Sequence, residues 1–271
     1  MKWCLSSRQS EEYLLKADEI KVQYRDRKFI YDIPEKYPNA TVILVLPFDP
    51  ATVVDWKEIS TFNVYMEHRF ILCLTHLNDY QKCQEAGIKF YYGFPASNFY
   101  ELNCMKKLGV CYVRLAGAPA FNLSVAKNIG IPIRVVPNIA NEFNWPDEDG
   151  VCGSWIRPED LEYLEKYIDA VEFEDCDLQK EQALYRIYAI EKNWPGRVDM
   201  LISNITTEAT NRLIEPGFGM FRANCGQKCQ ENKRCNYCYN LLYLANEERI
   251  EKLMEIQARS KEQSEEQKEE N

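Results

Sequence analysis

Three consecutive stretches of this chain repeat one phrase: a segment with helical spacing, a glycine, then a short run of β-branched and aromatic residues. They read QEAG-IKFYYG around Gly87, KKLG-VCYVRLAG around Gly109 and KNIG-IPIRVVPN around Gly130. The glycine has a physical reason to stand there. A helix that turns back into a strand ends well on a residue with a left-handed backbone, and glycine adopts that conformation without a Cβ penalty. Helix and strand repeated in this order build parallel strands joined by right-handed crossovers.

Other short apolar runs extend the pattern: KWCLS (2–6), EIKVQY (19–24), ATVILVLP (40–47), RFILCLTH (69–76), GSWIRP (153–158), DAVEFE (169–174) and DMLISN (199–204). They lack strict alternation, as strands buried on both faces of a parallel sheet do. Helical segments lie between them. One runs over 77–87 from a cap at Asn78, and one over 97–109 from Ser97 with Lys106 and Lys107 in its last turn. Two more cover 121–130 and 157–167, the latter with Pro158 near its first turn. This predicts an α/β fold, a (β/α)8-type (TIM-like) barrel over residues 1–210, with an open doubly wound sheet as the second choice. No G-x-G-x-x-G follows an early strand and no G-x-x-x-x-G-K-[ST] occurs, so dinucleotide and P-loop readings have no motif to rest on.

The chain has 271 residues, 46% of them hydrophobic, enough for a sizeable core. Its net charge is −9, and the tail after Ala245 holds nine acids against five bases. A mildly acidic body argues against general binding to nucleic acid or to a membrane surface, both of which need a basic face. No run of about eighteen apolar residues suggests a membrane span. The start, MKWCLSSRQSEEYLL, lacks the apolar stretch of a signal peptide. The expectation is a soluble, cytoplasmic protein.

Of the eleven cysteines, several and the final four stand in contrasting surroundings. Cys4, Cys73 and Cys111 sit in apolar runs and read as small buried hydrophobes. The last four are spaced Cys225-x3-Cys229-x5-Cys235-x2-Cys238 among Gly, Gln, Lys, Glu, Asn and Arg, which do not make a core. In a reducing compartment such a set reads as a metal site rather than two disulfides. Four thiolates suit tetrahedral Zn2+ and equally a [4Fe-4S] cluster, and the spacing leaves both open. Arg222, Lys228, Lys233 and Arg234 offset the negative charge of such a centre, or alternatively contact nucleic acid. Residues 211–245 are thus read as a Cys-rich metal-binding segment. Residues 246–271 are read as an acidic tail, helical and then disordered. The apolar positions Leu241, Leu242, Leu244, Ile250, Leu253, Met254 and Ile256 keep close to helical spacing, so this C-terminal helix is the expected docking element for a protein partner.

Chemistry in a βα-barrel sits at the C-terminal ends of the strands. Those ends are read as Arg25 and Asp26, Asp49, His76, Arg114, Asn138, Arg157, Glu172 and Glu174, and Asn204. One of Glu172 and Glu174 is expected to face the barrel interior as the acid/base carboxylate, with Asn138 and Arg157 orienting the substrate. Arg114 and Arg134, inside apolar strands, either line the site or turn between strand and helix to meet a helix carboxylate. His76 is either a base or a partly buried structural histidine.

The stretches IPIRVVPN, CGSWIRPEDLEYL and YIDAVEFE, with the cysteine run, resemble the peptidase U32 (collagenase-like) family across most of residues 1–240. The resemblance implies a barrel carrying an iron–sulfur cluster and acting on a macromolecular substrate, a peptide or a nucleic acid. The other function class is a non-catalytic scaffold with a structural zinc site and a partner-docking acidic helix.

Overall fold

The computed structural model describes residues 1–96, 99–116, 120–138, 156–174 and 176–194. Eight parallel strands form one sheet: β1 (Lys2–Ser6), β2 (Glu19–Gln23), β3 (Thr41–Val45), β4 (Phe70–Leu74), β5 (Lys89–Tyr92), β6 (Val113–Ala116), β7 (Ile133–Val136) and β8 (Ala170–Glu172). Their order is β5-β4-β3-β2-β1-β8-β7-β6, so the first strand pairs with both the second and the last. The two outer strands, β5 and β6, approach each other. Cys111 N donates to Phe90 O at 2.8 Å and Ala96 N to Arg114 O at 3.0 Å. The result is a nearly closed (β/α)8-type barrel.

Helices alternate with the strands: α1 (Glu11–Leu14), α2 (Ile33–Lys36), α3 (Trp56–Tyr65), α4 (Tyr80–Glu85), α5 (Phe99–Leu108), α6 (Ala120–Ile129), α7 (Pro158–Leu164) and α8 (Leu178–Tyr185). The glycines of the repeated phrase close α4, α5 and α6 with φ of +63° at Gly87, +77° at Gly109 and +81° at Gly130. A Cβ would meet no atom within 4 Å at any of the three, so the left-handed backbone alone requires glycine there. Asn78 does not cap: the segment begins with a 3-10 turn, Leu77–Asp79, that lacks a side-chain cap. Two helices that the sequence reading passed over carry the best N-caps. Asp55 accepts from Lys57 N and Glu58 N ahead of α3, and Asp177 accepts from Lys180 N ahead of α8.

Side chains two apart in a strand share a face, and this sorts the core into two layers. Ile20, Val22, Leu44, Leu72, Val135 and Val171 face outward into the main core beneath the helices. Cys4, Ile43, Ile71, Cys73, Tyr91 and Ala170 face inward and pack inside the barrel. Of the ten strand-like runs, eight are strands. In GSWIRP, Ile156 and Arg157 are irregular and 153–155 lie outside the described residues, as do 199–204 and all of 211–271.

Candidate functional site

In β2 the sequence EIKVQ sends Ile20 and Val22 outward, and period two turns Glu19 and Lys21 inward. The same alternation brings Arg114 in from β6, with Tyr112 from just before it, Arg134 from β7 and Glu172 from β8. Register then stacks them: Cys4 is level with both Glu19 and Glu172, and Arg114 is level with Arg134.

These side chains form a chain of alternating charge that climbs the barrel interior. At its lower end Arg134 Nη2 pairs with Glu19, and its Nη1 lies 3.4 Å from Glu172 Oε2. Arg114 Nε donates to Glu172 Oε1 at 2.6 Å, its Nη1 to Gly93 O at 2.7 Å, and its Nη2 pairs with Glu174. Tyr112 Oη donates to Glu19 Oε1 at 3.1 Å. The Arg134 guanidinium lies against two perpendicular rings, 4.9 Å from the Tyr91 centroid and 4.6 Å from that of Tyr112. Arg134 and Glu19 are fully buried. Desolvating that many charges is costly unless each finds an opposite partner, and Glu19, Arg134, Glu172 and Arg114 each do.

The chain ends at the C-terminal mouth, where two groups are less enclosed. Glu174 keeps 35% of its side-chain surface exposed. Lys21 is partly buried and touches one acceptor, Phe173 O, at 3.4 Å. Among the described residues no carboxylate comes within ion-pair distance of it. Burial pushes the Lys21 ammonium down, but the fields of Glu172 and Glu174 outweigh burial and hold it above its ordinary value. Burial likewise pushes the Glu172 carboxyl up, while Lys21, Arg114 and Arg134 together bring it down to about 2. Both groups therefore stay charged at neutral pH. The interior thiols go the other way: burial raises Cys4 and takes Cys73 up to about 11, so neither is a thiolate nucleophile.

The residues expected at the site fare differently. Glu172 and Glu174 both turn inward, not one of them, because residues two apart share a strand face; Arg114 bridges the two. Glu172, clamped between two arginines and ionised, is a fixed charge rather than an acid/base group. Asn138 is at the mouth, but its amide is spent on the backbone. Nδ2 donates to Glu174 O at 2.5 Å and Oδ1 accepts from Glu174 N at 3.1 Å, which fixes where Glu174 stands. Arg157 is the N-cap residue of α7 rather than a strand end, and it grips Asp160 with two hydrogen bonds of 2.6 and 2.8 Å. Arg114 and Arg134 pair with strand carboxylates inside the barrel, not with helix carboxylates. His76 follows β4 with its ring 6.2 Å from that of Phe48. Cys225, Cys229, Cys235 and Cys238 lie outside the described residues, and among the described residues no three His, Cys, Asp or Glu side chains are arranged to hold a metal.

Glu19 and Lys21 escaped the sequence reading. Their signal was present: polar residues alternating with Ile and Val in EIKVQ mark a strand with one apolar and one charged face, and in a barrel the charged face is the interior.

No family model matches the sequence, and no curated protein does. Solved structures resemble it in shape at low identity. A cube-shaped, highly porous protein cage designed by fusing symmetric oligomeric domains is 10% identical, with a TM-score of 0.41, covering 95% of this chain and 84% of that one. A native KDPGal structure is 10% identical, with a TM-score of 0.42, covering 70% and 94%. The 3-keto-L-gulonate-6-phosphate decarboxylase of Vibrio cholerae is 12% identical, with a TM-score of 0.39, covering 72% and 99%. No helix among the described residues is long and apolar enough to cross a membrane.

Proposed function

We propose that the chain is a barrel enzyme of the U32 peptidase kind, acting at its C-terminal mouth on a peptide or nucleic-acid substrate. The observation that carries this reading is the pair Lys21 and Glu174. Both are polar, both reach the mouth, and both stand above a buried ion chain, whose Arg114 holds the Glu174 carboxylate. Lys21, kept charged, is suited to stabilise the negative charge that develops on a carbonyl or phosphoryl oxygen under attack. Glu174, partly exposed, is the carboxylate placed to take or give a proton. The fixed charges beneath supply preorganisation: Arg114 and Glu172 are already oriented and need not move during the reaction. A scaffold gains nothing from this arrangement, since aliphatic side chains fill a barrel interior at no desolvation cost.

Cys225, Cys229, Cys235 and Cys238 are the proposed ligands of a Zn2+ ion or a [4Fe-4S] cluster. Four thiolates are a complete donor set for either. Zinc would supply a closed structural clip and a cluster would supply electron transfer.

The test uses the full chain purified without oxygen. Elemental analysis with an absorption spectrum separates zinc from iron–sulfur, and Cys235→Ser is expected to lose the metal. Hydrolysis or modification of mixed peptide and RNA pools is then compared with Lys21→Met. Activity that falls in Lys21→Met while the fold stays intact supports the reading. Activity that Lys21→Met leaves unchanged rejects the mouth as the site. Metal content below stoichiometry in the parent chain rejects the thiolate centre.

A further inference from the structure

The arginine at the top of the ion chain is held on three sides by parts of its own barrel. Arg114 gives Nε to Glu172 and Nη1 to the carbonyl of Gly93, both from within. Only Nη2 turns to the mouth, and its partner there is the carboxylate of Glu174. The two partners differ in how firmly they are bound in place. Arg114 is 4% exposed and Glu172 2%, whereas Glu174 is 35% exposed and stands beyond the end of β8. Its backbone is fixed by Asn138, but among the described residues its carboxylate has no contact within bonding distance other than Arg114.

Charge balance makes this pairing replaceable. In the upper half of the barrel Lys21 and Arg114 face Glu172 and Glu174. Without the Glu174 carboxylate one positive charge is left over, shared between a guanidinium edge and an ammonium that has a single acceptor at 3.4 Å. The ammonium reaches the carbonyl of Phe173 and the guanidinium edge the carboxylate of the next residue, Glu174, so both converge on one short stretch of chain, and together they are the kind of donors that carboxylates and phosphates bind.

We propose that Arg114 Nη2 and Lys21 form an anion site at the barrel mouth, for a carboxylate or phosphate group, and that Glu174 occupies it when no ligand is bound. Deepening the proposed function, on which it rests for Glu174 as the proton-transfer group, this makes the anionic group a part of the substrate. An arriving carboxylate or phosphate takes the place of Glu174 on Arg114. The displaced carboxylate swings into the mouth, free of its arginine. Binding the right substrate thereby releases the base, and an uncharged analogue leaves it clamped.

Glu174→Gln tests this, because the amide keeps the shape and the backbone clamp while removing the competing charge. Inorganic phosphate and acetate are titrated separately into the full chain at constant ionic strength with chloride as the background anion. Affinity is read by thermal stabilisation and by the resonances of the Arg114 guanidinium. The Glu174→Gln variant is expected to bind one of the two about tenfold more tightly than the parent chain, a modest share of what one close like charge costs. The arm that responds tells carboxylate from phosphate. Lys21→Met in the same background, which leaves the arginine pairs intact, is expected to weaken binding. A folded Glu174→Gln variant that binds neither anion overturns the proposal. So does binding that leaves the Arg114 resonances unmoved. Neither readout needs turnover: anion binding without activity would reject the enzyme reading and keep the site, and activity without anion binding would do the reverse.

Discussion

Removing Arg134 is the sharpest perturbation the barrel interior offers. Its guanidinium is fully buried, pairs with Glu19, lies 3.4 Å from Glu172 and packs against the rings of Tyr91 and Tyr112. Arg134→Met keeps much of the volume and deletes the charge. Glu172 retains Arg114, so the loss falls on Glu19, which has no exposed surface. What is left for that carboxylate is the Tyr112 hydroxyl at 3.1 Å and Lys2, half exposed, at 3.8 Å. Breaking a buried pair typically costs about 3–5 kcal/mol because the orphaned charge stays desolvated. The two ring contacts add about 1 kcal/mol or more to the loss, and the residual contacts of Glu19 offset part of it, so about 3–5 kcal/mol is the expected total. Glu19→Gln with Arg134→Met removes both charges, and the double variant is expected to lie within about 2 kcal/mol of the parent chain. Urea unfolding at neutral pH, followed by tryptophan fluorescence, measures the cycle, with equal slopes as the check that the unfolding transition is the same in each variant. A single variant that loses under about 1 kcal/mol, or a double variant no better than the single, would refute the reasoning: the pair would then not be energetically coupled.

Acid should act on the same chain of charges. Glu172 titrates at about 2 in the fold against an ordinary 4.5, a depressed value, so its stabilisation is present above 4.5 and is lost as pH falls from there toward about 2. Stability measured against pH is expected to drop through that window, and Glu172→Gln should flatten the slope there whatever it does to the total; an unchanged slope would place the acid sensitivity elsewhere. The thiol of Cys73, raised from 9.0 to about 11 chiefly by burial, should alkylate at least about a hundredfold more slowly at pH 8 than an ordinary thiol, and reach the normal rate in urea. Mass spectrometry of iodoacetamide-treated protein reads this directly, and fast labelling of native Cys73 would show the interior to be open.

How much of this was legible in the sequence depends on whether the cause was local. The glycine that ends each helix of the repeated phrase answers to the backbone at that residue, so Gly87, Gly109 and Gly130 announced the alternation and with it the barrel. Arg157 was misplaced for a related reason: the residue before Pro158 is restricted to extended backbone, which reads as the end of a strand and serves equally as a helix N-cap. The partners of Arg114 and Arg134 had no local cause. Glu19 and Arg134 are 115 residues apart and meet only because the ring brings β2 and β7 to opposite sides of β1 and β8. What the chain does show locally is that a charge occupies an inward position in β2, β6, β7 and β8. A closed ring has one interior, so charges on separate inward faces must meet one another there, and Glu19, Glu172, Arg114 and Arg134 can be satisfied only in alternation. The strand pattern thus implies that a buried ion chain exists, while its order, and the choice of Glu174 as the group left at the open end, come from register alone. The mouth is where pairing by the barrel's own side chains stops, and for that reason it is where a ligand has something to bind.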